Sequence, residues 1–177
     1  LELSVSPTLI PVGTPLAEVR DAYNAIQVIG DAVGPVFYHG LGAGQMPTAS
    51  AVAADLIDTA VGRTRLTFQT LEYFSSDHPP RVKLRDGDTS TGRYYFRLSV
   101  SNHPGTLASI AAVLAQHGIS IASVIQHEGR EGGPQRDPVP LVIMTHIATE
   151  GEARAATDDI QALASVTGTV VRLRVKD

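Results

Sequence analysis

The hydrophobic pattern is sharpest in the second half of the chain. From Tyr94 to Ser101 the apolar residues Tyr94, Phe96, Leu98 and Val100 take every second position, which predicts a half-buried strand. Over 106–117, Leu107, Ile110, Val113 and Leu114 recur at helical spacing, and Gly118 stands where a left-handed residue ends a helix. Residues 119–127 and 140–148 read as strands joined by a Gly/Pro-rich hairpin loop over 128–139. A helix is predicted over 152–163, and a last strand over 168–175 has Val171, Leu173 and Val175 on one face. Strand, helix, strand, strand, helix, strand is the order of a ferredoxin-like βαββαβ sheet.

The first half is more broken. Residues 1–5 alternate as a strand does, and Pro7, Pro11, Gly13 and Pro15 then break the pattern. Residues 16–25 suggest a short helix, while 25–30 and 36–39 suggest two strands with a tight turn at Gly30-Asp31. A helix is expected over 47–61, with Pro47 in its first turn and Ala49, Val52, Leu56 and Ala60 on one apolar face. Residues 62–74 read as the end of that helix and a short strand. Pro79-Pro80, Arg81, Lys83, Arg85 and Asp86-Gly87-Asp88 then mark a linker. The expected division is 1–75, a linker over 76–92, and 93–177. The fold class is α+β: a partial mixed α/β segment followed by the βαββαβ unit.

Composition narrows the function. Aromatics are 5% of the chain and Trp is absent, so the core must be built from Val, Leu, Ile and Ala. A net charge of -4 argues against nucleic-acid partners, which need a basic face. Without cysteine there are no disulfides and no thiolate metal sites. His78, His127 and His146 lack metal-ligand spacing, so no metal site is expected. No apolar run reaches the roughly 20 residues of a membrane helix and no signal peptide is visible, so a cytoplasmic location away from membranes is expected. The chain begins with Leu rather than Met, inside strand-like sequence, and is expected to be a piece of a longer protein.

Two motifs carry candidate chemistry. Gly40-Leu41-Gly42-Ala43-Gly44 follows a predicted strand and precedes a predicted helix, as a dinucleotide-binding turn does. The fingerprint Gly-x-Gly-x-x-Gly fails, because the sixth position is Gln45 in one register and Pro47 in the other. The glycines either let a ligand approach bare backbone or make a plain tight connection. Asn102-His103-Pro104-Gly105 opens the first helix of the second half and exposes N–H groups that could hold a carboxylate. It is either an effector site or only a capping turn. Among the other polar residues, His39 is read as loop support, His117 as a helix C-terminal residue, and Asp55 and Asp58 as a solvated face. Arg130, Glu131 and Arg136 are read as decoration of the hairpin.

The stretch from Gly34 through Gly40-Leu-Gly-Ala-Gly-Gln-Met-Pro-Thr-Ala-Ser, with Asn24-Ala25-Ile26 before it, closely resembles the late segment of homoserine dehydrogenases. The resemblance covers about residues 1 to 75. It implies that Gly42, Ala43 and Gly44 touch a nicotinamide cofactor, NAD(P), in the intact enzyme, with Gly40 and Thr48 shaping the loop. The family interconverts L-homoserine and L-aspartate 4-semialdehyde, and its catalytic Lys and acidic residues precede this segment. Lys83 and Lys176, the chain's lysines, are not placed to replace that Lys. No catalytic residue, no bound cofactor and no activity are therefore expected of the chain alone.

Residues 93–177 resemble an ACT domain, through Asn102-His103-Pro104-Gly105-Thr106-Leu107 and His117-Gly118-Ile119-Ser120-Ile121. This implies an amino-acid effector, by analogy threonine, the end-product of the pathway. Asn102, His103, Pro104 and Gly105 would meet Ile119, Ser120, Ile121 and Ala122, often of another subunit, in a homo-oligomer that is at least a dimer. The alternative is a stand-alone ACT binding or oligomerisation module.

Overall fold

The computed structural model describes residues 1–70, 83–126 and 138–176. Residues 128–137 of the expected hairpin loop, residues 76–82 of the expected linker, and His78 and His127 lie outside the described residues. The chain divides into two compact units. Unit 1 joins Leu1–Leu9 to Leu84–Asp177, and unit 2 is Ile10–Lys83. The expected 1–75 segment is thus cut at its start, since Leu1–Leu9 folds with the later residues.

Unit 1 is built on the expected sheet. Its strands are β1 (Thr8–Leu9), β4 (Thr91–Ser101), β5 (Ile121–Gln126), β6 (Pro138–Thr145), β7 (Ala148–Thr149) and β8 (Val166–Val175). Unit 2 holds β2 (Tyr23–Gly30) and β3 (Gly34–Leu41). The sheet order is β1-β8-β4-β6-β5, and β7 pairs with the start of β4. The βαββαβ ladders are antiparallel, while β1 joins β8 in parallel.

Helices α3 (Thr106–Gln116) and α4 (Glu150–Gln161) supply the rest of the core. Tyr94, Phe96, Leu98 and Val100 of β4 and Val139, Leu141 and Ile143 of β6 are buried. They pack with Ile110, Val113 and Leu114 of α3 and Ala153, Ala156 and Ile160 of α4. Each large side chain so buried contributes about 1.5–3 kcal/mol before its entropy cost is counted. Leu107 departs from expectation: it is 39% exposed in the first turn of α3.

Polar groups at this core are satisfied. Thr145 is fully buried, and its Oγ1 accepts from the Tyr94 N–H at 3.0 Å. Tyr94 Oη donates to Glu150 at 2.9 Å, and Arg172 donates to the other Glu150 oxygen at 2.7 Å while lying 5.2 Å from the Tyr94 ring centre. Burial, with the Glu150 acceptor, pushes the Tyr94 hydroxyl up to about 12. Burial also pushes the Glu150 carboxyl up, but the hydrogen bonds from Arg172 and Tyr94 outweigh it and hold the group below its ordinary value.

The ends of α3 and α4 explain where sequence boundaries shift. Gly118 has φ +70, the left-handed residue expected after α3. α4 begins at Glu150 rather than 152, because Thr149 and Glu152 form a capping box. Glu152 N–H donates to Thr149 Oγ1 at 3.2 Å, and Thr149 N–H donates to Glu152 Oε2 at 2.8 Å.

Unit 2 differs in kind. β2 and β3 form an antiparallel hairpin across residues 31–33, with Gly34 at φ +74 closing the turn. α1 (Gln45–Ala60) follows the glycine loop, and Gly62 at φ +82 separates it from α2 (Arg63–Thr70). The expected helix over 16–25 is instead a 3-10 turn at Pro15–Glu18, with Asp21 at φ +55 before β2. The expected strand over 1–5 is absent, and the ladder is confined to Thr8–Leu9, between Pro7 and Pro11. Among the described residues of unit 2 none is buried. Val52 and Leu56 of the expected α1 stripe are 54% and 66% exposed.

Candidate functional site

The glycine loop is shaped by its neighbours in unit 2. Gly40, in β3, pairs with Asn24 of β2, and the Gly42 N–H donates to the Ala22 carbonyl at 3.0 Å. Gly42, Ala43 and Gly44 follow in the connection to α1, and all are exposed. Gly44, at φ +124, takes a conformation that favours glycine, and its carbonyl accepts from Thr48 N–H at 3.1 Å, the first turn of α1. A side chain on Gly42 would collide with the Asn24 carboxamide, whereas a Cβ on Gly40 would meet nothing within 4 Å. The backbone at Gly40 thus faces open space. His39 stacks on Tyr23, ring centres 4.8 Å apart, and the Phe37 ring centre lies 6.2 Å from it. This fits its reading as loop support. Thr48 sits in the first turn of α1 rather than in the loop itself.

The second candidate lies at one end of the sheet in unit 1. Residues 102–105 run from β4 into α3, and Gly105 at φ +93 caps the helix without a side-chain acceptor. The turn is braced internally. His103 N–H donates to Ser101 O at 3.0 Å and Thr106 Oγ1 donates to the same carbonyl at 3.0 Å. With its proton so used, Thr106 Oγ1 can only accept from His103 Nδ1 at 3.2 Å, and the Pro104 carbonyl at 3.2 Å can only accept as well. This network assigns a proton to Nδ1.

Asn102, His103, Pro104 and Gly105 line one concavity of 330 Å³ with Thr106, Leu107, Gln126 and Leu141. Gln126 Nε2 lies 3.5 Å from Asn102 Oδ1. Gln126 is not among the site residues that the sequence suggests. The topology could have found it, since β4 and β5 flank β6 and their ends meet at this turn. Ile119–Ala122 are not brought to the concavity. Ile119 is a core residue at 3% exposure, and the Ser120 carbonyl accepts from His146 N–H at the other end of β5.

Two further pairs of charged or ionisable side chains tie elements of unit 1 together. His117 Nε2 lies 2.7 Å from Asp159, tying the end of α3 to α4. The Arg154 guanidinium grips Asp88 through two contacts of 2.6 Å and holds its carboxyl below the usual range. Among the described residues no cluster of His, Asp and Glu could hold a metal ion, and no helix is long and apolar enough to cross a membrane.

Residues 1–57 match the family model described as homoserine dehydrogenase, and residues 94–165 match that of the ACT domain. The homoserine dehydrogenase of Pseudomonas aeruginosa is 40% identical over 99% of this chain, and that of Neisseria gonorrhoeae 38% identical over 99%. The chain spans about two-fifths of the length of these curated relatives, 40% in each case. A crystal structure of a homoserine dehydrogenase from Thiobacillus denitrificans superposes with a TM-score of 0.78 at 38% identity, covering 99% of this chain and 39% of that one. Together these findings support a C-terminal homoserine dehydrogenase segment that carries an ACT domain.

Proposed function

We propose that this chain is the C-terminal part of an NAD(P)-dependent homoserine dehydrogenase, with residues 10–75 closing the catalytic and dimerisation domain and 93–177 acting as an ACT regulatory domain. The observation that carries this reading is the contrast between the units. Unit 1 has a closed core, whereas unit 2 has an apolar helix stripe and an apolar hairpin and buries none of its described residues. A segment of that kind needs the remainder of a larger domain to cover it.

In the intact enzyme Gly42, Ala43 and Gly44 would stand against the cofactor, and the bare backbone at Gly40 gives it room. The bound nicotinamide supplies the hydride chemistry. The residues of this chain contribute a rigid wall held by the Ala22–Gly42 hydrogen bond and the His39–Tyr23 stack. Proton transfer and substrate binding belong to residues outside the chain, so the chain alone is inactive.

The Asn102–Gly105 concavity is the effector site. A zwitterionic amino acid would place its carboxylate on first-turn N–H groups of α3, while the Asn102 and Gln126 carboxamides supply both donors and acceptors. Threonine is the proposed effector. Because Ile119–Ala122 lie away from the concavity in one chain, those residues would serve through a second subunit of a cytoplasmic homo-oligomer.

Two measurements test the reading. Aspartate 4-semialdehyde reduction should be undetectable with this chain and present with the longer enzyme that contains it. Threonine at millimolar concentration should raise the melting temperature of the chain, as selective binding to the folded state requires. Turnover by the chain alone would contradict the first half of the proposal, and an unchanged melting temperature the second.

A further inference from the structure

The first nine residues do something that neither the glycine loop nor the effector turn accounts for. They belong to unit 1, and their last two residues lie along the outer edge of β8. Thr8 and Leu9 pair with Arg174 and Val175, and the Lys176 N–H donates to Leu9 O at 2.9 Å. At the other end, Arg85 N–H donates to Leu1 O at 2.7 Å.

Between these ends Glu2 enters a charge cluster. The Glu2 carboxylate accepts from the buried Ser90 hydroxyl and lies 3.7 Å from Arg85 and 3.8 Å from Arg174. Arg174 also donates to Ser90 Oγ at 3.1 Å and to Thr91 O at 2.5 Å, and its guanidinium packs on bare Gly92, where a Cβ would come within 2.8 Å. Apolar burial adds little: Leu1, Leu3 and Val5 are 62%, 69% and 105% exposed. An element held by a few hydrogen bonds and one carboxylate sits at the low end of local stability.

Connectivity gives this element a consequence. The chain enters unit 2 directly after Leu9 and returns from it at Leu84, next to the Arg85 that holds Leu1 and Glu2. The returning link at Leu84 therefore adjoins the Glu2–Ser90–Arg85–Arg174 cluster, the outgoing link at Leu9 is held by the Thr8–Leu9 ladder on Arg174 and Val175, and Arg174 takes part in both. We propose that Leu1–Leu9 is a releasable strap whose docking through Glu2 couples the regulatory sheet to unit 2. This coupling rests on the sensing role proposed above, while the docking itself does not.

The test uses Glu2→Gln, which keeps the side-chain shape and removes the charge. In this chain, amide exchange at Arg85 and Lys176 should quicken by roughly tenfold or more, while the central amides of β4 and β6 stay unchanged. In the longer enzyme, the same change should leave the uninhibited rate within about twofold. It should weaken inhibition by the amino acid by roughly fivefold with its binding constant nearly unaltered. A second variant guards against loss of folding. Leu9→Cys with Val175→Cys lets a cross-link fasten the paired strands of a chain that has no cysteine, and oxidation should restore inhibition in the Glu2→Gln background.

Unchanged exchange in Glu2→Gln overturns the strap, and quickened exchange with inhibition intact overturns the coupling. A wild-type enzyme that responds to no amino acid overturns the sensing role instead. The exchange measurement tells that case apart, because it needs no effector.

Discussion

At Gly42 a neighbour enforces the absence of a side chain: the Asn24 carboxamide occupies the space a Cβ would need. Gly42→Ala must push away either Asn24 or the loop, so in the longer enzyme it should lower kcat/KM by roughly tenfold or more. Adding Asn24→Ala should recover part of that loss if crowding is the cause, and steady-state kinetics on the double variant checks this. Gly105, at φ +93, is a different case, because nothing crowds it and only backbone conformation demands glycine. Gly105→Ala should cost about 1–2 kcal/mol in chemical unfolding and weaken effector binding with it. Titration at Tyr94 and Glu150 gives stability two limbs. The Glu150 carboxyl is held below its ordinary 4.5, so its contribution is complete above that pH and is lost as pH falls through the lowered value. Tyr94 is raised from 10 to about 12, so its contribution is complete below pH 10 and is lost as pH climbs to about 12. Unfolding midpoints against pH should show both limbs, with Glu150→Gln flattening the acid one and Tyr94→Phe the alkaline one.

Among the elements, α4 depends most visibly on a local signal. Thr149→Ala removes the capping box and should lower stability by about 1 kcal/mol, measured by urea unfolding. The Thr149-Glu150-Gly151-Glu152 spacing is present in the sequence and marks the true start of the helix, two residues before the apolar period alone places it. β4 is legible for the opposite reason, since its alternation reports burial on one face directly and Tyr94 to Val100 pack as that alternation requires. In the core those strands make, Ile143→Ala should cost about 2–5 kcal/mol by the same measurement, since Ile143 is fully buried. β1 is not legible. Its partner is the far end of the chain, and a two-residue ladder between prolines leaves no period to detect. Leu107 escapes the pattern because helical spacing cannot tell a core position from one at the rim of a concavity. For the same reason Gln126 joins the candidate site only once β5 is set beside β6.

For the whole molecule, unit 1 has a buried core of its own while the described residues of unit 2 bury none, as the proposed reading of unit 2 as part of a larger domain requires. The α1 stripe shows how the two halves differ. Ala49, Val52, Leu56 and Ala60 have the same helical spacing that buries Ile110, Val113 and Leu114 in α3, yet Val52 and Leu56 remain exposed. Periodicity in a sequence announces that a face needs cover, and it is silent about whether the cover lies in the same chain. Hydrogen exchange on the chain alone tests the claim most directly. The account predicts that amides of α1 exchange roughly a hundredfold faster than those of β4 and β6, because local opening there exposes no core. Amides of α1 and β4 that exchange at one common rate, through a single global unfolding, would contradict it.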